Sequence, residues 1–178
     1  MKSNISRNSF DPSKRYSGVY QQQGSLITDA DWNEMQDIIR GNIEAALRDI
    51  VGAGLPHNGA MAVEIKDAKD FTIKPGRAYA GGNLAEHHQL DQSYLTQIDL
   101  PGIPDNRPFA ASDTIYLDVW DREVMHLPRK EYGPDDGLVD PAFTSVTTCT
   151  RTQRMAQVKI LPTDEGDPRS LPNQGSAQ

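Results

Sequence analysis

Cysteine, basic residues and long apolar runs are scarce in this chain of 178 residues, and each scarcity excludes a class of protein. Cys149 is the only cysteine, so no disulfide can form within the chain and no cysteine cluster can hold a metal. We interpret Cys149 as a small core residue in a strand, because no histidine neighbours it to activate a nucleophile. No apolar run reaches the roughly 20 residues of a membrane span, and the first residues do not resemble a signal peptide. We therefore expect synthesis in the cytoplasm and no membrane insertion.

Acidic residues outnumber basic ones. The chain has 25 Asp and Glu against 18 Lys and Arg, which gives a net charge of −7. Because binding to phosphate backbones requires a basic face, we expect no nucleic-acid partner. The charge is unevenly placed, since residues 1–25 carry four basic residues and one acid, whereas residues 28–51 carry six acids and two arginines. A solvated surface explains this asymmetry, and the alternative is that it orients neighbouring subunits in an assembly.

Sequence motifs for catalysis and cofactor binding are also missing. The chain contains no nucleophile elbow, phosphate-binding loop or dinucleotide fingerprint. The run Glu86-His87-His88, with Asp91 nearby, could suggest a metal site, but adjacent side chains of a strand point to opposite faces. We interpret this run as a polar loop between strands. We therefore predict no metal site and no cofactor.

Acidic and aromatic side chains alternate along one predicted strand. Asp118, Asp121 and Glu123 are close enough in sequence to suggest the two carboxylates of a glycosidase, but a carboxylate beside an aromatic residue is a common surface feature. We therefore expect no catalytic residue and no enzyme activity. Because aromatic faces stack on sugars, an alternative function is a carbohydrate-binding module for cell-surface attachment. Its surface would comprise Tyr116, Trp120 and the 128–145 loop.

One long helix is predicted after an extended N-terminal arm. Thr28 is a suitable N-cap, and acidic residues load the first turn. From Thr28 to about Val51, apolar residues recur at spacings of three and four, which places them in one stripe on a helix of roughly 35 Å. Before the helix, polar residues surround a few aromatic and apolar anchors, which indicates an extended arm or, equally, a disordered terminus. The helix is predicted to end at Gly52, Gly54 and Pro56.

After the helix the apolar period changes to two residues, which predicts six or seven short strands. The clearest strand contains Ile115, Leu117 and Val119, and we expect Asp121-Arg122 to turn it back into a hairpin. Further strands are predicted at 61–65, 71–73, 77–80, 94–98 and 146–161.

These elements predict an α+β, β-rich fold: an extended arm and one long helix, followed by a small antiparallel β sandwich or open barrel. The predicted domains are an extended docking arm (1–25), a helix for oligomerisation (26–54), a β domain (55–161) and a flexible tail or linker (162–178).

Several short motifs resemble a known family. The blocks Tyr16-Ser17-Gly18-Val19, Gln22-Gln23-Gly24 and Asp29-Ala30-Asp31-Trp32-Asn33-Glu34 resemble the N-terminal signature of a structural module encoded with phage tails and phage-derived contractile injection systems. Further matches are Pro75-Gly76-Arg77-Ala78-Tyr79, Gly81-Gly82, Tyr116-Leu117-Asp118-Val119-Trp120, Arg122-Glu123-Val124, Asp140-Pro141-Ala142, Thr147-Thr148 and Arg151-Thr152.

The resemblance implies a structural protein at the tail or baseplate periphery, whose longer relatives carry fibre, spike or β-helix segments behind this module. It implies that the partners are other tail or baseplate proteins. It also implies that the protein ends up in an assembled particle, which is either released from the cell or is a virion. The arm and the helix stripe indicate a homo-oligomer, and the usual geometry of tail fibres implies a trimer. The predicted assembly interface comprises Tyr16, Val19, Tyr20, Gln22, Gln23, Leu26, Trp32, Met35, Ile39, Ile43 and Ile50.

Overall fold

A computed structural model describes residues 5–56, 60–97, 108–124 and 149–161. Over these ranges the chain has one long helix and seven antiparallel strands in three small sheets, which confirms the predicted α+β, β-rich class, and the sheets do not close into a barrel. The predicted 128–145 loop and 162–178 tail lie outside the described residues. The elements are a 3₁₀ turn (Pro12–Lys14), α1 (Asp29–Ile50), β1 (Val63–Ile65), β2 (Phe71–Ile73), β3 (Gly76–Ala80), β4 (Asn83–His87), β5 (Gln92–Ser93), a second 3₁₀ turn (Tyr94–Thr96), β6 (Thr114–Val124) and β7 (Arg151–Leu161).

Both ends of α1 follow the signals in the sequence. The hydroxyl of Thr28 accepts a hydrogen bond of 3.2 Å from the backbone N–H of Asp31, so the predicted N-cap is confirmed. At the other end, the N–H groups of Val51 and Gly52 donate to the carbonyl of Leu47 at 2.9 and 3.0 Å. Gly52 has φ +72°, the left-handed conformation in which glycine terminates helices.

The core lies between the first sheet and a long two-stranded ribbon. β1, β2 and β5 form the first sheet, and β6 and β7 pair over eleven residues to form the ribbon. Phe71 in β2 is fully buried, and its ring stacks on Tyr94 with 4.6 Å between centroids. The ring of Phe109 lies 5.6 Å from that of Phe71, and Val158 from the ribbon packs against the same cluster. Three aromatic rings thus supply much of a small core.

Two secondary-structure predictions, one of a strand and one of a loop, are wrong in the first half of the β domain. The segment 94–98 was expected to be a strand, but Ser93 ends β5 and its hydroxyl accepts a 3.2 Å hydrogen bond from Leu95 N–H, which starts a 3₁₀ turn. The segment around Glu86 and His87 was expected to be a polar loop. It forms β4 instead, because the turn at Gly81-Gly82 folds this segment back onto β3 in a regular hairpin.

Two further predictions fail near the ribbon. The expected turn at Asp121-Arg122 does not form, because both residues pair with β7, Asp121 opposite Arg154 and Arg122 opposite Gln153, and β6 continues to Val124. Cys149 was expected to be a core residue of a strand. It lies before β7 begins and is exposed.

Gly82, in the turn between β3 and β4, lies against the backbone of α1. A Cβ atom at this position would overlap the carbonyl oxygen of Glu44 and lie 3.3 Å from the Cβ of Arg48. The neighbouring Gly81 also has a positive φ, but a Cβ there would meet nothing within 4 Å. Only Gly82 therefore controls how closely the helix approaches the β3–β4 turn.

We predict that Gly82→Ala destabilises the chain more than its neighbour Gly81→Ala does. Gly81→Ala should cost about 1–2 kcal/mol, because it forces alanine into the left-handed region. Gly82→Ala adds the overlap with Glu44, for which about 1–3 kcal/mol more is typical of overpacking. Urea unfolding measures both losses, and hydrogen exchange of α1 amides reports whether the helix separates from the turn. Equal losses in the two variants would contradict this account of Gly82.

Candidate functional site

The helix α1 meets the β domain through its polar side. Glu44 and Arg40 form an ion pair with a distance of 2.8 Å, and Arg40 also pairs with Asp121 of β6. From β7, Arg154 contacts Asp121 at 2.9 Å and Glu44 at 3.1 Å. The guanidinium of Arg48 donates to the carbonyl of Gly81 at 3.2 Å. We call Arg40, Glu44, Asp121 and Arg154 the ionic cluster.

The ionic cluster shifts the titration of both its carboxyl groups. Partial burial raises the pKa of Asp121, but the hydrogen bonds from Arg154 and Arg40 outweigh burial and leave the pKa below its usual value. The pKa of Glu44 is lowered in the same way, with burial again opposed by Arg40 and Arg154. Both carboxylates are therefore held in the charged form, and the cluster is a charged contact at neutral pH.

The apolar stripe of α1 lies on the outside of the chain. Trp32 is 57% exposed, Ile43 55% and Ile50 84%, and Ile39 is also exposed. Of the predicted interface residues on the helix, Met35 is half-buried. Successive residues advance about 100° around a helix. Ile43 therefore lies about 160° round the axis from Gly41, which contacts Phe10 of the arm, and Ile50 lies about 160° from Arg48, which contacts the β3–β4 turn.

A single helix residue, Ile38, is fully buried, with 3% of its surface exposed. It lies about 100° round the axis from Ile39, towards the side of the helix that carries Gly41. The helix thus buries one apolar side chain and meets the β domain through charged side chains. Its larger apolar surface is left for contact elsewhere.

The arm is attached to the helix near its middle and is exposed beyond that point. The hydroxyl of Ser9 donates to Glu34 at 2.6 Å, and the ring of Phe10 lies 3.7 Å from where a Cβ of Gly41 would be. Beyond the Pro12–Lys14 turn, Tyr20 is 92% exposed and Leu26 is 89% exposed. Among the other arm residues of the predicted interface, Val19 is half-buried, and the exposed ones are Tyr16, Gln22 and Gln23.

The two histidines in the described part of the chain, His87 and His88, have different surroundings. His87 is half-buried in β4, and burial lowers the pKa of its imidazole. His88 is exposed and its Nε2 lies 3.8 Å from Glu86, whereas Asp91 pairs with Lys74 at 2.8 Å. Among the described residues, no three His, Cys, Asp or Glu side chains converge as metal ligands.

The three carboxylates on β6 are divided between its two faces: Asp118 lies on one face, and Asp121 and Glu123 lie on the other, because side chains of a strand alternate. Asp118 pairs with Lys159 at 2.5 Å, while Asp121 belongs to the ionic cluster. Trp120, which the carbohydrate-binding alternative would use to stack on a sugar, has the Lys159 ammonium 5.8 Å from its ring centroid. The carbohydrate-binding alternative stays a prediction, and the loop it needs lies outside the described ranges.

The ionic cluster is the feature that the sequence did not reveal. The spacing of Arg40 and Glu44 by four residues is a recognisable helical ion pair. Their partners lie about 80 and 110 residues further along the chain, at one crossing of the ribbon. An open cleft of about 240 Å³ lies over this crossing, and its charged side chains are already paired with one another. We therefore assign the cluster to holding the helix.

We predict that Asp121→Asn weakens the attachment of α1. Loss of charged hydrogen bonds should lower the free energy of unfolding at neutral pH by about 1–3 kcal/mol. Because the folded chain depresses the pKa of Asp121, its stabilisation is complete above the unfolded value of about 4 and is lost as the pH falls through the lower folded value. Urea unfolding at pH 7 and pH 3 should therefore show the gap between Asn variant and wild type narrowing in acid.

Asp91→Asn is the matched control for this experiment. Asp91 also pairs with a cation, Lys74 at 2.8 Å, but its side chain is 71% exposed. Exposed ion pairs contribute about 0–1 kcal/mol, so this variant should stay close to the wild type at both pH values. Equal losses from Asp91→Asn and Asp121→Asn would show that the ionic cluster is no stronger than a surface pair.

Comparison with known proteins gives the chain a family and no assigned activity. No curated protein and no solved structure matches it. In the part of the chain that the structure describes, no helix has the length and apolar character needed to cross a membrane. Residues 1–173 match the model of DUF6519, described as a family of unknown function. The match spans nearly the whole chain, and the chain therefore belongs to the DUF6519 family.

Proposed function

We propose that this chain is a structural assembly protein of a phage-like contractile tail or injection system. In this role it is an adaptor at the baseplate or tail periphery, and it holds a fibre, a spike or a neighbouring subunit. The observation that carries the proposal is the orientation of α1, whose charged side faces its own β domain and whose apolar stripe faces outward beside an exposed arm.

Burial of the outward apolar stripe would make binding to a partner energetically favourable. Full burial of one large aliphatic or aromatic side chain contributes roughly 1.5–3 kcal/mol relative to exposure. Single exposed apolar residues are normal on protein surfaces, whereas a contiguous apolar patch marks an interaction site. Trp32, Ile39, Ile43 and Ile50 follow one line along a helix of 22 residues, about 33 Å long. That grouping distinguishes the stripe from scattered surface residues.

The arm supplies a second contact of a different kind. Tyr16 and Tyr20 are large, exposed anchors, and the amides of Gln22 and Gln23 offer donors and acceptors for an extended partner strand. Segments that become ordered on binding can cover a wide surface. The arm would clasp a neighbour while the β domain acts as the rigid body that carries both contacts.

The resemblance of the motifs to tail-associated modules supplies the type of particle. On this proposal the partners are other tail or baseplate proteins, and the subunit forms a homo-oligomer, a trimer if it follows tail-fibre geometry. It acts without catalysis and without a cofactor. It is made in the cytoplasm and then becomes part of a particle.

The arm is the feature to remove in a test of this function. We predict that deletion of residues 1–25 leaves the β domain folded, because the core around Phe71 contains no arm residue, and abolishes incorporation into particles. Circular dichroism checks the fold, and quantitative mass spectrometry of particles purified by sedimentation measures incorporation. A truncated chain found in particles at the normal copy number would contradict the arm model.

Point variants of the full chain provide the matched comparison. Tyr16→Ala and Tyr20→Ala remove exposed arm anchors and should lower incorporation, whereas Leu90→Ala removes a side chain that is 82% exposed outside the arm and should not. If the chain never co-purifies with tail-like particles, even in the wild type, the proposed function is wrong.

A further inference from the structure

We infer that the partner covering the apolar stripe of α1 is a second copy of this chain, and that the basic arm of one copy lies against the acidic first turn of α1 in the other. This inference rests on the proposed function, because it names the partner of the surface which that function requires. Three observations carry it: the residues bordering the stripe, the charges that form no ion pair within the described residues, and the position of the arm in its own chain.

The border of the stripe permits a like surface to approach. Gln36 and Asn42 are exposed and flank the stripe on its two sides, about 20° and 100° round the axis from Ile43. Both side chains are uncharged amides that can donate and accept hydrogen bonds. The charged side chains nearest to the stripe are Asp29 and Arg40, about 40° and 60° from Ile43 beyond Gln36, and Arg40 is already paired with Glu44 and Asp121. The same amides would pair across the boundary of the buried strip.

Within the described residues, the arm and the first turn of the helix carry charges of opposite sign that form no ion pair. The helix carries six acids and two arginines, and both arginines are engaged towards the β domain. Asp29 and Asp31 in the first turn have no ion-pair partner among the residues that the structure describes. In the arm, Lys14 and Arg15 are exposed and form no ion pair with a carboxylate within the described ranges, and the charge of Lys14 contributes to lowering the pKa of the nearby Asp11, after the hydrogen bonds from Ser13. The two surfaces are complementary in charge.

The arm of the same chain is held away from the stripe. Ser9 and Phe10 attach it to Glu34 and Gly41, on the side of α1 opposite the stripe. Glu34 and Gly41 lie roughly 180° and 160° round the helix from Ile43. Tyr16 and Tyr20, which follow this attachment, are exposed and do not pack on the helix of their own chain. A neighbouring copy has no such tether and can place its arm on the free side.

The first test is self-association of the full chain, measured by size-exclusion chromatography with light scattering from about 1 to 100 μM. We expect the wild type to exceed the monomer mass of 19.7 kDa as its concentration rises. Ile43→Glu should weaken association at least tenfold, because it places a charge in the stripe. Ile65→Glu is the matched control, since Ile65 is an exposed isoleucine of β1 outside the stripe and should leave association unchanged.

Charge reversal tests the arm separately. A chain with Lys14→Glu and Arg15→Glu, and a second chain with Asp29→Lys and Asp31→Lys, should each self-associate at least tenfold more weakly than the wild type. Mixed together, they should recover association, because each arm then meets a first turn of opposite charge. Circular dichroism verifies that both chains fold, and recovery in the mixture cannot come from a misfolded chain. Absence of recovery would overturn the placement of the arm.

The remaining outcomes separate this inference from the proposed function. A wild-type chain that stays at 19.7 kDa at 100 μM, or one weakened equally by Ile43→Glu and Ile65→Glu, overturns the inference. If such a monomeric chain is still incorporated into particles, the adaptor role stands without the homo-oligomer, and the partner of the stripe is a different protein. Self-association with the predicted charge pattern, but without particle incorporation, supports the inference and contradicts the proposed function.

Discussion

The ionic cluster joins α1 to the ribbon, and this contact determines which surfaces of the chain are exposed to a partner. Arg40 and Glu44 on α1 interlock with Asp121 and Arg154 on the ribbon, with carboxylates and guanidinium groups alternating. Such a contact has directional hydrogen bonds, so it fixes the rotation of the helix about its own axis as well as its position. Because the charged side is held inward, the apolar stripe has to point outward.

The small core explains why the apolar stripe of α1 does not pack against the β domain. Phe71, Tyr94 and Phe109 fill the space between the first sheet and the ribbon with their rings, and Val158 completes the contact from β7. The helix contributes only Ile38 as a buried side chain. The hydrophobic effect thus acts mainly between the sheets. The helix is attached by polar contacts and backbone proximity, including the close approach at Gly82.

Local features of this fold could be predicted from sequence, whereas features that depend on distant pairing could not. The N-cap at Thr28 and the C-terminal end at Gly52 each depend on hydrogen bonds between residues no more than five positions apart, so both can be predicted from the sequence. Asp121 next to Arg122 has the composition of a turn, yet its role depends on Arg154, more than thirty residues away. Gly82 likewise looked like an ordinary turn glycine, because nothing nearby in sequence signals the helix backbone above it.

The candidate interface shows the same limit in a form that bears on function. Periodicity identified the stripe from Trp32 to Ile50, but a pattern of that kind is equally typical of a helix packed on its own domain. Which of the two applies is decided by the opposite side of the helix, where Glu44 and Arg48 meet groups on the β3–β4 turn and the ribbon. Because the charged side of the helix packs against its own β domain, the apolar side faces away from that domain. The exposure of the stripe therefore follows from the position of the charges, and the need for a partner follows from that exposure.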